Sequence, residues 1–223
     1  MKDLKAVKGH FYIHNLISEG EHEHQDFKFA ISDAAKIAHS ISAFANNDGG
    51  HLLVGVKDNG NVAGVRNEED IYVVEQAAQM YCRPPQSVNV TAYKVDGGAV
   101  VFKVDIAKAP RRPVESRETD GTWRVYYRVK DENIVAHPLM VRCWRSHNSR
   151  SCPSLMVGED ELAVLDYIDT ESHVSVADLC RRFGLSKESI ERLMVKFYRL
   201  EVIKFTYINQ EFRIMRHRSP KND

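Results

Sequence analysis

Residues 41–65, ISAFANNDGGHLLVGVKDNGNVAGV, constrain the fold more than any other part of the chain, because a helix end, a strand and two turns fall within one short run. Ile37, Ile41 and Phe44, with Ala38 and Ala45, recur at helical spacing. They stop at Asn46-Asn47-Asp48-Gly49-Gly50, where a glycine can take the left-handed conformation that closes a helix. Leu52, Leu53, Val54 and Val56 then read as a buried strand. Asp58-Asn59-Gly60-Asn61 is turn chemistry, expected to return the chain as Val62-Ala63-Gly64-Val65. A helix feeding a buried strand predicts a mixed α+β unit.

The flanking sequence fills in that unit. The N-terminal segment reads as helical to about Ile17, residues 25–30 as a strand, 33–46 as the helix just described and 67–81 as another. Residues 88–95 and 99–106 flank Asp96-Gly97-Gly98, a hairpin signal. Pro110 and Pro113 interrupt regular structure, residues 122–129 form a further strand and 138–145 a short helix. From Ser146 to Gly158 the sequence turns polar and contains a proline, as linkers do. The expected organisation is an α+β domain over 1–147, a linker over 148–158, a small domain over 159–217 and a disordered tail over 218–223.

Composition limits function. The 31 Lys and Arg balance 31 Asp and Glu, so a nucleic-acid site has to be a local patch on a neutral surface. No apolar run approaches the ~20 residues that span a bilayer, and the N-terminus lacks the apolar stretch of a signal peptide. No membrane role is expected, and a cytoplasmic location is. The four cysteines, Cys82, Cys143, Cys152 and Cys180, form no CxxC pair; free thiols are expected rather than a zinc ribbon or a disulfide framework.

Glu21, Asp26 and Asp58 come together if strand 25–30 lies beside strand 51–56. Three carboxylates with Lys28 suit Mg²⁺ or Mn²⁺ and a phosphodiester substrate. The plainer reading makes Asp26 and Lys28 a solvent-facing pair beside a core Phe27, with Glu21 in a surface turn. Glu21-His22-Glu23-His24 places two histidines on one face without a third convergent ligand, which reads as surface. There is no GxxxxGK[ST] loop, so no ATP site and no resident cofactor are expected. Arg112, Arg124 and Arg128 belong to a basic second half, and alternation of Arg124, Tyr126 and Arg128 predicts a strand face suited to phosphate contact and base stacking. Arginines on an edge strand equally serve to prevent edge pairing.

Beyond the linker, Leu162, Leu165 and Ile168 sit at helical spacing, and residues 176–183 and 186–200 form two more helices. Cys180, Gly184, Ile190 and Leu193 have helix-turn-helix spacing, Ser186 is the expected N-cap, and strands 203–208 and 211–215 around Asn209-Gln210 form a wing. Lys187, Ser189 and Arg192 are then the expected base contacts, with Lys196, Lys204, Arg213 and Arg216 neutralising phosphates. The alternative is a dimerisation or docking module, because Glu188 and Glu191 put acidic charge on the same helix.

Several spaced elements agree with a known family. Gly20-Glu21-x4-Asp26-Phe27-Lys28, Ser42-Ala43-Phe44-Ala45-Asn46 with Gly49-Gly50, and Gly55-Val56-x-Asp58 resemble the Schlafen-type AlbA-like domain. The resemblance continues through Arg112-Pro113-Val114 and Tyr126-Tyr127-Arg128-Val129 to about Trp144. It implies a nucleic-acid-related protein: bacterial members are described as DNA-binding or ATP-binding, and some animal Schlafens cleave RNA. The cleaving triad of two glutamates and an aspartate would fall on Glu21, Asp26 and Asp58. Here the second acid is the shorter Asp26, Lys57 stands where an Asp-Asp pair is usual, and the Schlafen cysteine-histidine zinc site has no counterpart. The resulting expectation is a homodimeric DNA-binding transcriptional regulator, with RNA the alternative partner. A metal-dependent nuclease targeted by the winged helix and a protein-interaction adaptor are the competing readings.

Overall fold

The computed structural model describes residues 5–31, 33–65, 69–148 and 156–218. Most of the expected linker, with Cys152, and nearly all of the expected tail lie outside the described residues. The chain divides into two compact units, Met1–Ala136 and His137–Asp223.

The first unit is α+β, as the sequence predicts. Its elements are β1 (Val7–Lys8), α1 (His10–Glu19), β2 (Gln25–Lys28), α2 (Ala34–Asn46), β3 (Gly50–Val54), α3 (Asp70–Met80), β4 (Cys82–Arg83), β5 (Val88–Lys94), β6 (Val100–Ile106), β7 (Glu115–Arg117), β8 (Trp123–Val129) and β9 (Glu132–Val135). A mixed five-stranded sheet runs β1-β5-β6-β3-β2, with β1 parallel to β5 and β2 parallel to β3. A second, antiparallel sheet runs β4-β7-β8-β9.

Alternation along β3 decides the layering. Leu52 and Val54 join Ile37, Ile41 and Phe44 of α2 and Val74 and Ala78 of α3 in one core. Leu53, on the opposite face, joins Ile13 of α1 and Phe27 of β2 in another. Helix α2 is consequently buried nearly all round, which explains its alanines and serines: small side chains let β7 and β8 of the second sheet approach it closely. It starts on Asp33, whose carboxylate accepts from the Ala35 amide. Beyond its end, Gly49 has φ +82°, and a Cβ there would lie 2.8 Å from the Ile106 carbonyl, so the turn into β3 requires glycine.

The expected return strand over 62–65 does not form. Val56 and Val62 make one isolated bridge, and the Ala63 and Gly64 amides both donate to the Gly55 carbonyl, at 2.9 and 3.0 Å, closing a loop.

The second unit holds α4 (Pro138–His147), α5 (Glu159–Glu171), α6 (Val176–Phe183), α7 (Lys187–Arg199) and the antiparallel hairpin β10 (Ile203–Ile208) and β11 (Glu211–Arg216). Its core gathers Val164 and Ile168 of α5, Leu179 of α6, Ile190, Met194 and Phe197 of α7, and Ile214 of β11. Leu139 and Cys143 of α4 belong to the same core, so α4 packs with this unit rather than with the domain it was expected to close. Val174 extends the hairpin by exchanging both backbone hydrogen bonds with Ile214. Gly184, at φ +64°, makes the bend between α6 and α7 in the left-handed conformation that glycine adopts without strain.

Candidate functional site

The first unit contains a buried ionic cluster. Asp26 of β2 faces α2, on the side opposite core Phe27, and is 3% exposed. Its Oδ2 accepts from the Lys28 ammonium at 2.6 Å and the Ser40 hydroxyl at 3.4 Å; its Oδ1 accepts from Arg128 Nη2 at 3.3 Å. Arg128 reaches in from β8 and is 1% exposed. Its other hydrogen bonds go to the Gln25 carbonyl at 3.0 Å, Asn133 Oδ1 at 3.0 Å and the His22 carbonyl at 3.3 Å, while its guanidinium lies 5.1 Å from the Phe44 ring centroid. The result is an ion pair in which nearly every polar atom of the arginine has a partner, the condition for tolerating buried charge.

Glu21 completes the cluster from the edge. Its Oε1 accepts from the Phe27 amide at 2.8 Å, satisfying a donor on the open side of β2. Burial, the hydrogen bond it shares with Asp26 and the charge of Asp26 hold the Glu21 carboxyl above its ordinary pKa, against the Phe27 amide and Lys28. Burial also pushes Asp26 up, but the hydrogen bond from Glu21 and the positive charges of Lys28 and Arg128 outweigh it and leave Asp26 below its ordinary value. Glu21 therefore keeps a proton in a range where Asp26 is ionised.

The expected three-carboxylate metal site is not formed. Asp58 is exposed on the turn after β3, and both Asp26 oxygens already accept from cations or a hydroxyl. Among the described residues no group of three or more His, Cys, Asp and Glu side chains is placed to hold a metal ion. The donor set does not fit a protein-held Mg²⁺ or Mn²⁺.

The expected basic strand face is also corrected. Arg128 is interior. Tyr126 is buried, stacked on His39 with centroids 4.2 Å apart, and donates its hydroxyl to Glu118 at 2.8 Å. Only Arg124 of the three is exposed. Arg112 donates to the Asn46 carbonyl at 3.0 Å and so ties its loop to the end of α2.

In the second unit the side chains at the start of α7 are outward. Lys187 and Arg192 are 77% and 63% exposed and lie 3.8 and 3.9 Å from Glu191 and Glu188, one helical turn away. Ser189 is occupied locally, its amide and hydroxyl bonding to the N-cap Ser186. Lys204 is exposed on β10. Three expected phosphate contacts have other work: Lys196 bonds to Glu161 at 2.6 Å and to the Met156 carbonyl at 2.7 Å, Arg213 pairs with Glu211, and Arg216 donates to the Val202 carbonyl at 3.4 Å. Glu191 also accepts from Arg142 of α4 at 3.2 Å, which turns part of α7 toward its own unit.

The residues that sequence reasoning missed are Asn46 and Asn47. Asn46 Nδ2 donates to the carbonyls of Val114 and Tyr126, both at 2.8 Å, and its Oδ1 accepts from the Val114 amide. Asn47 exchanges two hydrogen bonds with the backbone of Arg128, at 2.8 and 3.0 Å. The two amides act as a strand segment at the end of α2 and fix β8, and with it Arg128, against β2. The available signal was two adjacent amides placed before a glycine turn, which reads equally well as turn chemistry.

No curated protein matches the chain. Among solved structures the chain is similar to the DIP2311 protein from Corynebacterium diphtheriae, at 22% identity, over 67% of this chain and 30% of that one, with a TM-score of 0.44. The chain thus spans less than a third of that relative's length. A family model described as Schlafen, AlbA_2 matches residues 21–137, over half of the 223 residues and spanning Glu21, Asp26, Asn46 and Arg128. The chain belongs to the Schlafen AlbA_2 family.

Proposed function

We propose that this protein binds nucleic acid, DNA foremost, as a homodimeric transcriptional regulator whose second unit acts as a winged helix-turn-helix. The family's association with nucleic-acid binding supports the general class. The observation that carries the specific reading is the α6-Gly184-α7 corner followed by the β10-β11 hairpin, with Lys187 and Arg192 exposed at the start of α7. Arg181, 80% exposed at the end of α6, and Lys204 on β10 extend that basic surface. Each α7 cation has an acidic neighbour at weak ion-pair distance, so phosphates compete for it at modest cost. Four such contacts give log affinity a slope of about −3.6 against log salt.

Fluorescence anisotropy on duplex DNA tests this. Lys187→Glu with Arg192→Glu is expected to weaken binding and to reduce the salt slope by about 2. Binding that ignores both the charge reversal and salt rejects the reading. Sedimentation on a duplex carrying two half-sites checks the dimer.

One observation favours a second reading, phosphodiester cleavage. Burial and Asp26 hold the Glu21 carboxyl above its ordinary value, beside the Lys28 ammonium that bonds to Asp26 at 2.6 Å, a combination that supports a general-acid role next to a cation suited to phosphate. Cleavage of single-stranded RNA that is lost in Glu21→Gln supports it; cleavage unchanged in that variant, or no cleavage by the parent protein, removes it.

A further inference from the structure

The second unit contains a cleft of about 740 Å³ between the start of α6, the first residue of α7 and β11. That volume lies in the range of small-molecule sites, about 300–1,000 Å³. Val176, Ala177, Cys180 and the ring of Phe212 supply an apolar wall, and Arg181 and Lys187 stand at its rim. His137 lines it too, stacked on Phe212 with centroids 4.0 Å apart and planes 5° from parallel.

The polar chemistry of the cleft has one sign. His137 Nδ1 accepts from the Leu139 amide at 3.2 Å, so the neutral ring carries its proton on Nε2 as a donor. Burial holds the His137 pKa below its ordinary value, keeping that neutral form at pH 7. Arg181 and Lys187 are obligate donors with full positive charge. Among the described residues no carboxylate lines the cleft. Asp178 stands 3.8 Å from Arg181 and Glu191 3.8 Å from Lys187, beyond hydrogen-bond distance. Asp178 is also held by the Ser175 hydroxyl and amide, at 2.7 and 3.0 Å, as the cap of α6. The Asp178 amide in turn donates to the Ser175 hydroxyl at 3.1 Å, and the Arg181 and Lys187 side chains supply the attraction.

We propose that this cleft binds a small organic anion, a carboxylate or phosphate on an apolar body, with Arg181 and Lys187 as counter-charges and the Phe212 wall as the apolar seat. The site stands independently of the nucleic-acid reading. Where that reading holds, Arg181 and Lys187 belong to both surfaces, so the anion and the phosphate backbone compete for them and the ligand acts as an effector.

The test is titration of the full chain with benzoate, phenyl phosphate, benzyl alcohol and inorganic phosphate, followed by the His137 imidazole signals. Benzoate or phenyl phosphate is expected to bind with Kd of about 1 mM or tighter. Benzyl alcohol and inorganic phosphate should bind at least about tenfold more weakly, since each lacks one half of the recognition. Arg181→Gln should cost about tenfold in affinity. Ala177→Trp, at an exposed position on the cleft wall, should abolish binding while leaving the unfolding curve in place. Equal binding of inorganic phosphate, an adventitious ion only, overturns the proposal, as does undiminished binding to Ala177→Trp or no binding by any probe. If duplex DNA shifts the His137 signals and no small anion does, the cleft belongs to the nucleic-acid surface: the effector site is refuted while the DNA reading survives.

Discussion

Replacing Arg128 by methionine should cost the first unit about 3–5 kcal/mol, the price of stranding one partner of a buried ion pair. Methionine keeps the length and apolar volume of the side chain, so little cavity is created. What disappears is the guanidinium, and with it hydrogen bonds to Asp26, to the Gln25 and His22 carbonyls and to Asn133. Asp26 retains Lys28 at 2.6 Å, which places the expectation at the lower end of that range. The Gln25 carbonyl loses a charged donor in a protein interior, itself worth about 1–3 kcal/mol. Urea unfolding followed through the amide signals of β3 and β6 reports this unit alone. With an m-value of about 1–3 kcal/mol/M, the midpoint should fall by roughly 1–3 M. Asp26→Asn in the Arg128→Met background should recover part of the loss, since the remaining amide carries no charge, giving a coupling of about 1–3 kcal/mol. A loss under about 1 kcal/mol, or strict additivity in the cycle, would refute the view that the pair holds the two sheets together.

Acid should weaken the first unit through His51. Burial, then the charge of Lys103, lowers His51 from 6.5 to about 4, so between those values the unfolded chain takes up a proton that the folded chain refuses. Stability falls as pH falls through that window, and His51→Gln should flatten the slope in a pH series of urea midpoints; an unchanged slope contradicts the assignment. Burial also pushes the thiols of Cys82 and Cys143 up to about 12. Iodoacetamide at pH 8 should leave both unlabelled in the native protein and modify them in urea, and mass spectrometry showing native labelling at either would contradict their burial.

The parts of the fold that were legible in sequence are those specified locally. Helix α2 and strand β3 announce themselves because the helical period, the glycine turn and the apolar run lie next to one another. Strands β1 and β4 are two residues long and β7 three, too short for a period-two pattern, and they exist because longer neighbours recruit them. Helix α4 was readable as a helix, but its assignment to the second unit rests on where Leu139 and Cys143 find partners, a tertiary fact. The candidate site divides in the same way. That Glu21 and Asp26 meet follows from the tight His22–Gln25 turn between two residues near in sequence. That Arg128 points inward does not: alternation places Tyr126 and Arg128 on one side of β8, and only the packing of α2 against that side makes it interior.

The clasp between β2 and β8 also bears on inheritance. Asp26, Ser40, Arg128 and Asn133 come from four separate elements and satisfy one another's charge and hydrogen bonding. A change at any one of them leaves a buried charge or amide without its complement, so a lineage can rewrite this group together or hardly at all. Glu21 and Lys28, at its solvent edge, bond to the Phe27 amide and to Asp26 but are themselves partly open to water, so a change at either strands less than a change inside. Descendants of this fold can therefore exchange the chemistry presented at that edge while the interior carrying it passes down unaltered.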